Sequence, residues 1–324
     1  MILVTGGSGF IGSHLVEKLC SNGEQVRLLV RRPRLFPNSP VELAMGDLVS
    51  GEGLASALTG ADTVIHLAGV TKALSADDYY AGNVTATENL ARAVAGILSH
   101  TGIRMVHVSS LAAIGPAPGA TPVGEDAEPH PVGHYGRSKL EGERKVRAIL
   151  PDAVIVRPPV VYGPRDTDVF QMLKSINQGI VVEIAGGEKW FSAIYVSDLV
   201  DGIIAASQSP RAKGRAYFLA HQGAVSWSQF GAIAARIMNR KPRIVQVPPP
   251  AAYAVGYCAE LWSRLTRKPG IISRDKVREA IHPYWLCATA RAEDELGFVA
   301  PTSIDEGLKN SLAWYREAGW LKWG

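Results

Sequence analysis

Tyr135 and Lys139, in the run Tyr135-Gly136-Arg137-Ser138-Lys139, set a phenol and an ammonium four residues apart. That spacing puts both on one face of a helix, which the pattern carries on through Leu140, Glu143 and Val146. A cation beside a phenol stabilises the phenolate, so such a tyrosine can donate or accept a proton near neutral pH. Tyrosine and lysine at this spacing are also an ordinary surface pair, so the chemistry requires partners. One lies upstream, where Val106-His107-Val108-Ser109-Ser110 ends an apolar run with two hydroxyls. In a parallel sheet that edge is where ligands bind.

The elements that must position these groups begin at the N-terminus. Thr5-Gly6-Gly7-Ser8-Gly9-Phe10-Ile11-Gly12 joins a short apolar run to a helical pattern through His14, Leu15, Val16 and Leu19. Gly6, Gly9 and Gly12 let the turn close and let the amides around Phe10 and Ile11 approach a pyrophosphate. Gly46-Asp47-Leu48 follows a second run at 41–44. Asp47 there is either an acceptor for an adenine amino group or an N-cap for a helix at 54–58. The wall offered by His66-Leu67-Ala68-Gly69 favours the former. After 26–30 the chain reads Arg31-Arg32-Pro33-Arg34, with no carboxylate for a ribose hydroxyl. Arginine forks suit a 2′-phosphate, which favours NADP over NAD, the competing reading being a solvated basic loop.

Apolar runs at 2–4, 26–30, 63–67, 104–108 and 153–156 lack polar alternation, as strands buried on both faces must. Helical patterns separate them, so the sequence predicts an α/β fold, a doubly wound parallel sheet (Rossmann) with a smaller, mostly helical C-terminal substrate lobe. Residues 1–162 are assigned to the dinucleotide-binding domain, with 191–222 returning to it because 194–206 reads as a strand leading into a helix. Residues 163–190 and 223–324 are assigned to the substrate-binding lobe.

Composition narrows the class. The 324 residues are 47% hydrophobic and 20% charged with a net charge of +4, the basic residues being dispersed. This argues against nucleic acid as a partner. Cys20, Cys258 and Cys287 are an odd number far apart, and neither they nor the eight histidines show ligand spacing. No metal site and a reducing, cytoplasmic location are expected. The start of the chain shows no signal-peptide pattern, and the uncharged stretch 247–259, broken by Pro248-Pro249-Pro250, is too short to span a bilayer.

Taken together and in order, these motifs resemble the extended short-chain dehydrogenases/reductases of the NAD-dependent epimerase/dehydratase superfamily. Arg157-Pro158-Pro159-Val160-Val161-Tyr162-Gly163-Pro164, Ile194-Tyr195-Val196-Ser197-Asp198-Leu199 and Glu295-Leu296-Gly297-Phe298 extend the likeness along the whole chain. The resemblance implies Tyr135 as general acid/base. It implies that Lys139 lowers the tyrosine pKa and binds the nicotinamide ribose, and that Ser110 holds the reacting oxygen. Ser110 is preferred to Ser109 because it lies five residues before Gly115. Asn83 resembles the asparagine that ties the sheet edge near the site. Pro158, Val160 and Val161, with Pro159 between them, would meet the nicotinamide carboxamide. A homodimer through the helix of Tyr135 and its neighbour is implied as well.

The substrate is set elsewhere. Nucleotide-sugar members usually carry an asparagine after the Arg-Pro pair and an arginine before the Tyr-Val-x-Asp-Leu segment, where this chain has Val160-Val161-Tyr162 and Trp190-Phe191-Ser192-Ala193. Tyr253, Val255, Tyr257, Leu261, Trp262 and Leu265, followed by Arg264, Arg267 and Lys268, resemble the lid of the 3β-hydroxysteroid dehydrogenase and dihydroflavonol reductase branch. The competing reading is plain core packing. Residues 276–285, flanked by Arg274 and including His282 and Trp285, and also His134, either line the cleft or pack against it. The expectation is therefore an NAD(P)-dependent oxidoreductase acting on a secondary alcohol or ketone of a bulky apolar molecule (sterol-, flavonoid- or ketoacid-like), with peripheral membrane contact compatible with it. A nucleotide-sugar 4-epimerase with retained NAD and a non-catalytic dinucleotide-binding regulator are the alternatives.

Overall fold

The computed structural model describes residues 1–33, 40–184, 186–268, 270 and 272–323, with backbone alone for 98–101. The first half alternates as the sequence predicts: β1 (Ile2–Thr5), α1 (Phe10–Ser21), β2 (Val26–Val30), β3 (Val41–Met45), α2 (Leu54–Leu58), β4 (Thr63–His66), α3 (Ala76–Tyr80), α4 (Ala86–Thr101), β5 (Arg104–Val108), α5 (His134–Ile149) and β6 (Val154–Val156). A π-helical turn, Ala81–Thr85, joins α3 to α4. After it come β7 (Val160–Tyr162), α6 (Asp168–Asn177), β8 (Ile180–Ile184), β9 (Trp190–Phe191), β10 (Ala193–Tyr195), α7 (Val196–Gln208) and β11 (Ala216–Tyr217). The chain ends with β12 (Val225–Ser226), α8 (Trp227–Ile237), β13 (Arg243–Val247), α9 (Pro249–Thr266), α10 (Arg274–Ile281), β14 (Tyr284–Trp285), α11 (Ala290–Leu296) and α12 (Ile304–Glu317).

A seven-stranded sheet runs in the order β11-β6-β5-β4-β1-β2-β3, every pair parallel. Its strands are Val-, Ile- and Leu-rich because helices cover both faces. Leu15, Leu19, Leu199 and Ile203 from α1 and α7 pack on one side, and Leu54, Leu58, Leu90 and Val94 from α2 and α4 on the other, all essentially without exposure. Each such side chain contributes roughly 1.5–3 kcal/mol through burial. Within β2, the buried Arg27 is held by Glu42 at 2.8 Å and by the carbonyls of Ala57 and Thr59.

The sheet order reverses at β1, which lies between β2 and β4. That is the switch point where a crevice opens beyond the strand ends. Residues 193–217 return to this side: β10 pairs with β7 in parallel, α7 packs on the sheet, and β11 joins β6. A further core gathers Tyr162, Phe191, Phe230, Leu308, Leu312 and Tyr315 from α8, α12 and the short strands. The region beyond Trp227 is less purely helical than its sequence suggests, because β13 pairs along its whole length with β8 in parallel. Two isolated five-residue Val/Ile runs far apart in sequence carry no local sign of this pairing.

Candidate active site

All main-sheet strands are parallel, so their C-terminal ends share one edge, and the candidate residues collect there. Lateral backbone bonds fix the edge: Leu67 N to Thr5 O at 3.1 Å, Gly46 N to Val30 O at 3.1 Å, Ser109 N to Val156 O at 2.7 Å and Leu111 N to Pro158 O at 2.9 Å. Gly6 takes φ +73°, and a Cβ there would lie 2.5 Å from Ala68 N; one on Gly12 would lie 2.1 Å from Gly6 O. The turn therefore has room only for glycine at these two positions. It delivers the chain into α1 at Gly9, where no side chain caps the helix. The first-turn amides at Phe10, Ile11 and Gly12 have no intrahelical acceptor, which is how a helix N-terminus holds a phosphate. This uncapped cradle fits a dinucleotide pyrophosphate, and the wall of Leu67, Ala68 and Gly69 stands beside it.

Arg31 is exposed at the end of β2, and Arg34 lies outside the described residues. Asp47 does not cap the helix at 54–58: the N-cap of α2 is Gly53 at φ +77°. Its carboxylate instead accepts the amides of Val49 at 2.7 Å and Ser50 at 3.1 Å, shaping the turn that carries Leu48.

At the other side of the crevice, α5 presents Tyr135 and Lys139 one turn apart. Lys139 is buried, and its Nζ donates to Val108 O at 2.8 Å. Burial lowers its pKa to about 8, with the Glu143 carboxylate opposing the shift. Glu143 in turn forms a buried pair with Arg157 at 2.7 Å, which locks α5 to the strand end of β6. Burial pushes the Tyr135 phenol upward, against the opposing influence of the neighbouring Ser110 hydroxyl and of the Lys276 charge. Ser110 accepts from Ala112 N at 3.2 Å. The Ser109 hydroxyl is buried with no hydrogen-bond partner among the described residues. Pro158, Val160 and Val161 follow β6 along the same edge.

Behind the site, Asn83 sits in the π-helical turn. Its Oδ1 accepts from Val70 N at 2.7 Å, and its Nδ2 donates to Val70 O and to Ser138 Oγ, both at 2.9 Å. It thus ties the segment after β4 to the helix of Tyr135. His66 and His107 stack at 5.2 Å within the sheet. Burial holds both neutral, His66 with a pKa lowered to about 3 and His107 well below its usual value.

Helix α10, in the stretch that the sequence left either lining the cleft or packing against it, brings Lys276 to the site. Lys276 Nζ stands 5.4 Å from the centroid of the Tyr135 ring and is paired with Glu279 at 2.8 Å. Tyr79 packs 6.3 Å from Tyr135, and Asp275 accepts the backbone N–H of His134 at 2.8 Å. The only local signal was a lysine and a glutamate three apart on an amphipathic helix, which reads as a surface pair. Lys276 also lines a cavity of about 810 Å³ walled by Val182, Ile184, Val247, Ala252 and Val277. Of the lid-like segment, Ala252 and Val255 face this cavity, whereas Leu261, Trp262 and Leu265 are exposed.

This arrangement can hold a dinucleotide along the sheet edge and move a proton at the phenol facing it. Known proteins resemble the chain as a whole. The chain is 31% identical over 324 residues to the ceramide reductase of Caulobacter vibrioides, covering 99% of this chain and 96% of that one. It is 27% identical to the N-acetyl-alpha-D-glucosaminyl-diphospho-ditrans,octacis-undecaprenol 4-epimerase of Escherichia coli O157:H7, covering 96% and 94%. Among solved structures, MoeE5 in complex with UDP-glucose and NAD superposes with a TM-score of 0.79 at 26% identity, covering 98% of this chain and 99% of that one. The model of the NAD dependent epimerase/dehydratase family matches residues 2–220. The chain belongs to that family, the extended short-chain dehydrogenases/reductases, and is one of its nicotinamide-dependent oxidoreductases.

Proposed function

We propose that the protein interconverts a secondary alcohol and a ketone on a bulky, largely apolar molecule. The observation that carries this reading is the large apolar cavity whose wall includes Lys276, the residue standing over the Tyr135 ring. A cavity of this size and lining suits a drug-sized or larger apolar ligand. The name of the Caulobacter relative, ceramide reductase, supports a long-chain lipid within the sterol-, flavonoid- or ketoacid-like range.

When bound, a reduced nicotinamide supplies a hydride at C4. Tyr135 gives the phenolic proton to the carbonyl oxygen as the carbonyl carbon is reduced, and takes it back in the oxidative direction. Ser110 holds that oxygen by a hydrogen bond. Lys139, charged below about pH 8, binds the nicotinamide ribose and favours the phenolate. The amides at Phe10, Ile11 and Gly12, in the turn shaped by Gly6 and Gly9, hold the pyrophosphate, Asp47 and Leu48 flank the adenine, and Pro158, Val160 and Val161 meet the carboxamide. Arg31, at a strand end without a carboxylate, supports NADP over NAD. A homodimer through α5 and its neighbour α4 belongs to the same reading.

The 4-epimerase of Escherichia coli O157:H7 favours a second reading, in which NAD stays bound and no net redox change occurs. Against it stand Val160-Val161-Tyr162 and Trp190-Phe191-Ser192-Ala193 where nucleotide-sugar enzymes carry polar groups. Purified protein is screened for NADPH and NADH oxidation with long-chain ketones, sterones, β-keto acids and nucleotide sugars. Turnover of NADPH with an apolar ketone is expected. Tightly retained NAD with interconversion of a nucleotide sugar and no consumption of added NADPH overturns the proposal.

A further inference from the structure

Helix α9 carries an apolar face that nothing among the described residues covers. Val255, Cys258, Trp262 and Leu265 recur at three- and four-residue spacing, so they share one side of the helix. All four are exposed, Trp262 by 67% and Leu265 by 78%, and Leu261 beside them is exposed too. Soluble chains scatter large exposed apolar residues singly; a contiguous row marks a contact surface. The row continues to the mouth of the apolar cavity, since Val255 lines that cavity together with Val182 and Ile272, both also exposed. Val245, paired in register with Val182 on the adjoining strands, extends the same surface.

The charge beside the row identifies its occupant. Arg264, Arg267 and Lys268 lie exposed at the C-terminal end of α9. The helix has a single carboxylate, Glu260, and Arg274 takes it at 2.8 Å. A second copy packed antiparallel on this face would set the three cations against 249–254 of its own α9, Pro-Pro-Ala-Ala-Tyr-Ala, which offers no carboxylate. A parallel copy would set like charges together. Either copy would also cover the cavity mouth. A bilayer supplies both things the face asks for, acyl chains for the row and phosphates for the cations, and leaves the cavity open to a molecule resident in the membrane.

We infer that this face of α9 docks on an anionic phospholipid surface. Trp262, Leu261 and Leu265 enter the boundary between headgroups and acyl chains, while Arg264, Arg267 and Lys268 meet headgroup phosphates. The inference goes beyond the assignment of the substrate, and its test needs neither substrate nor dinucleotide.

The full chain is floated with vesicles of phosphatidylcholine alone and of phosphatidylcholine containing phosphatidylglycerol. Binding to the mixed vesicles and much weaker binding to the neutral ones is expected. The double change Trp262→Glu and Leu265→Glu, and separately the triple change Arg264→Ala, Arg267→Ala and Lys268→Ala, each weaken binding to mixed vesicles by about tenfold or more, through lost apolar burial in the first and lost attraction to the phosphates in the second. An unchanged Tm in both variants keeps the loss attributable to the surface. Wild-type protein that stays unbound to the mixed vesicles, or binding that both variants leave intact, overturns the inference. So does a concentration-dependent self-association abolished by Trp262→Glu without vesicle binding, which assigns the face to a second copy. None of these results bears on which ketone is reduced.

Discussion

The strand edge and the wall built by α9, α10, β8 and β13 meet at one phenol, and they are made differently. At the edge, the candidate residues follow the ends of parallel strands, buried except for β3, or sit on the helix locked to them by the Arg157–Glu143 pair. The wall is made of helix faces and a two-stranded ribbon, with Val182, Ile244 and Val255 left exposed. Rigid, backbone-held geometry serves steps that every substrate shares. A loosely covered apolar surface serves recognition of a shape, and it can vary without disturbing the edge.

Three measurements test that separation. Tyr135→Phe should lower turnover by about a thousandfold or more while leaving dinucleotide affinity within a few-fold, because in the proposed function the phenol moves the proton and the glycine turn holds the pyrophosphate. Comparable losses in both would mean that the edge does not bind independently of the chemistry. Next is the pH dependence of stability in Lys139→Met. The folded pKa of Lys139 is lowered to about 8 from 10.5, so across that window the unfolded chain holds a proton that the folded one has released. Wild-type stability should therefore gain on the variant as pH climbs from about 8 to 10.5, by about 3 kcal/mol in all. Urea unfolding at several pH values reads this directly, and a difference that stays flat shows that burial does not perturb the ammonium. The smallest effect crosses between the two regions. Lys276→Met removes a charge that lowers the Tyr135 pKa, so the rise of alcohol-oxidation rate with pH should move to higher pH. Lys276→Arg should restore the profile. An unmoved limb would confine Lys276 to shaping the cavity.

The edge was legible in the sequence because its signals are local. Gly6, Gly9 and Gly12 lie within one turn, each apolar run names its own strand, and Tyr135 and Lys139 share one helix. Asn83 was legible only through resemblance, since its bonds to Val70 and Ser138 join segments far apart in the chain. The wall was legible in composition but not in arrangement. The contact between Asp275 and His134 spans 141 residues, and no periodicity encodes which helix end a carboxylate will reach. The parallel pairing of β8 with β13 is equally non-local. The apolar spacing of residues 253–265 admitted a lid or a core, and only the packing of α9 shows that Val255 lines the cavity while Trp262 and Leu265 lie exposed outside it.

One bond has implications for grafting. The helix that bears Tyr135 begins at His134 after Gly133, whose own side chain can cap nothing, and the carboxylate on its first amide is Asp275 from α10. The start of the helix that bears Tyr135 is thus finished by a residue contributed from the cavity wall. A chimera joining this sheet to the wall of a relative must bring an acceptor to that amide, or the helix carrying the phenol opens with an unpaired donor. Modularity here stops at a single carboxylate, and any redesign of substrate choice that alters α10 should keep Asp275 in place.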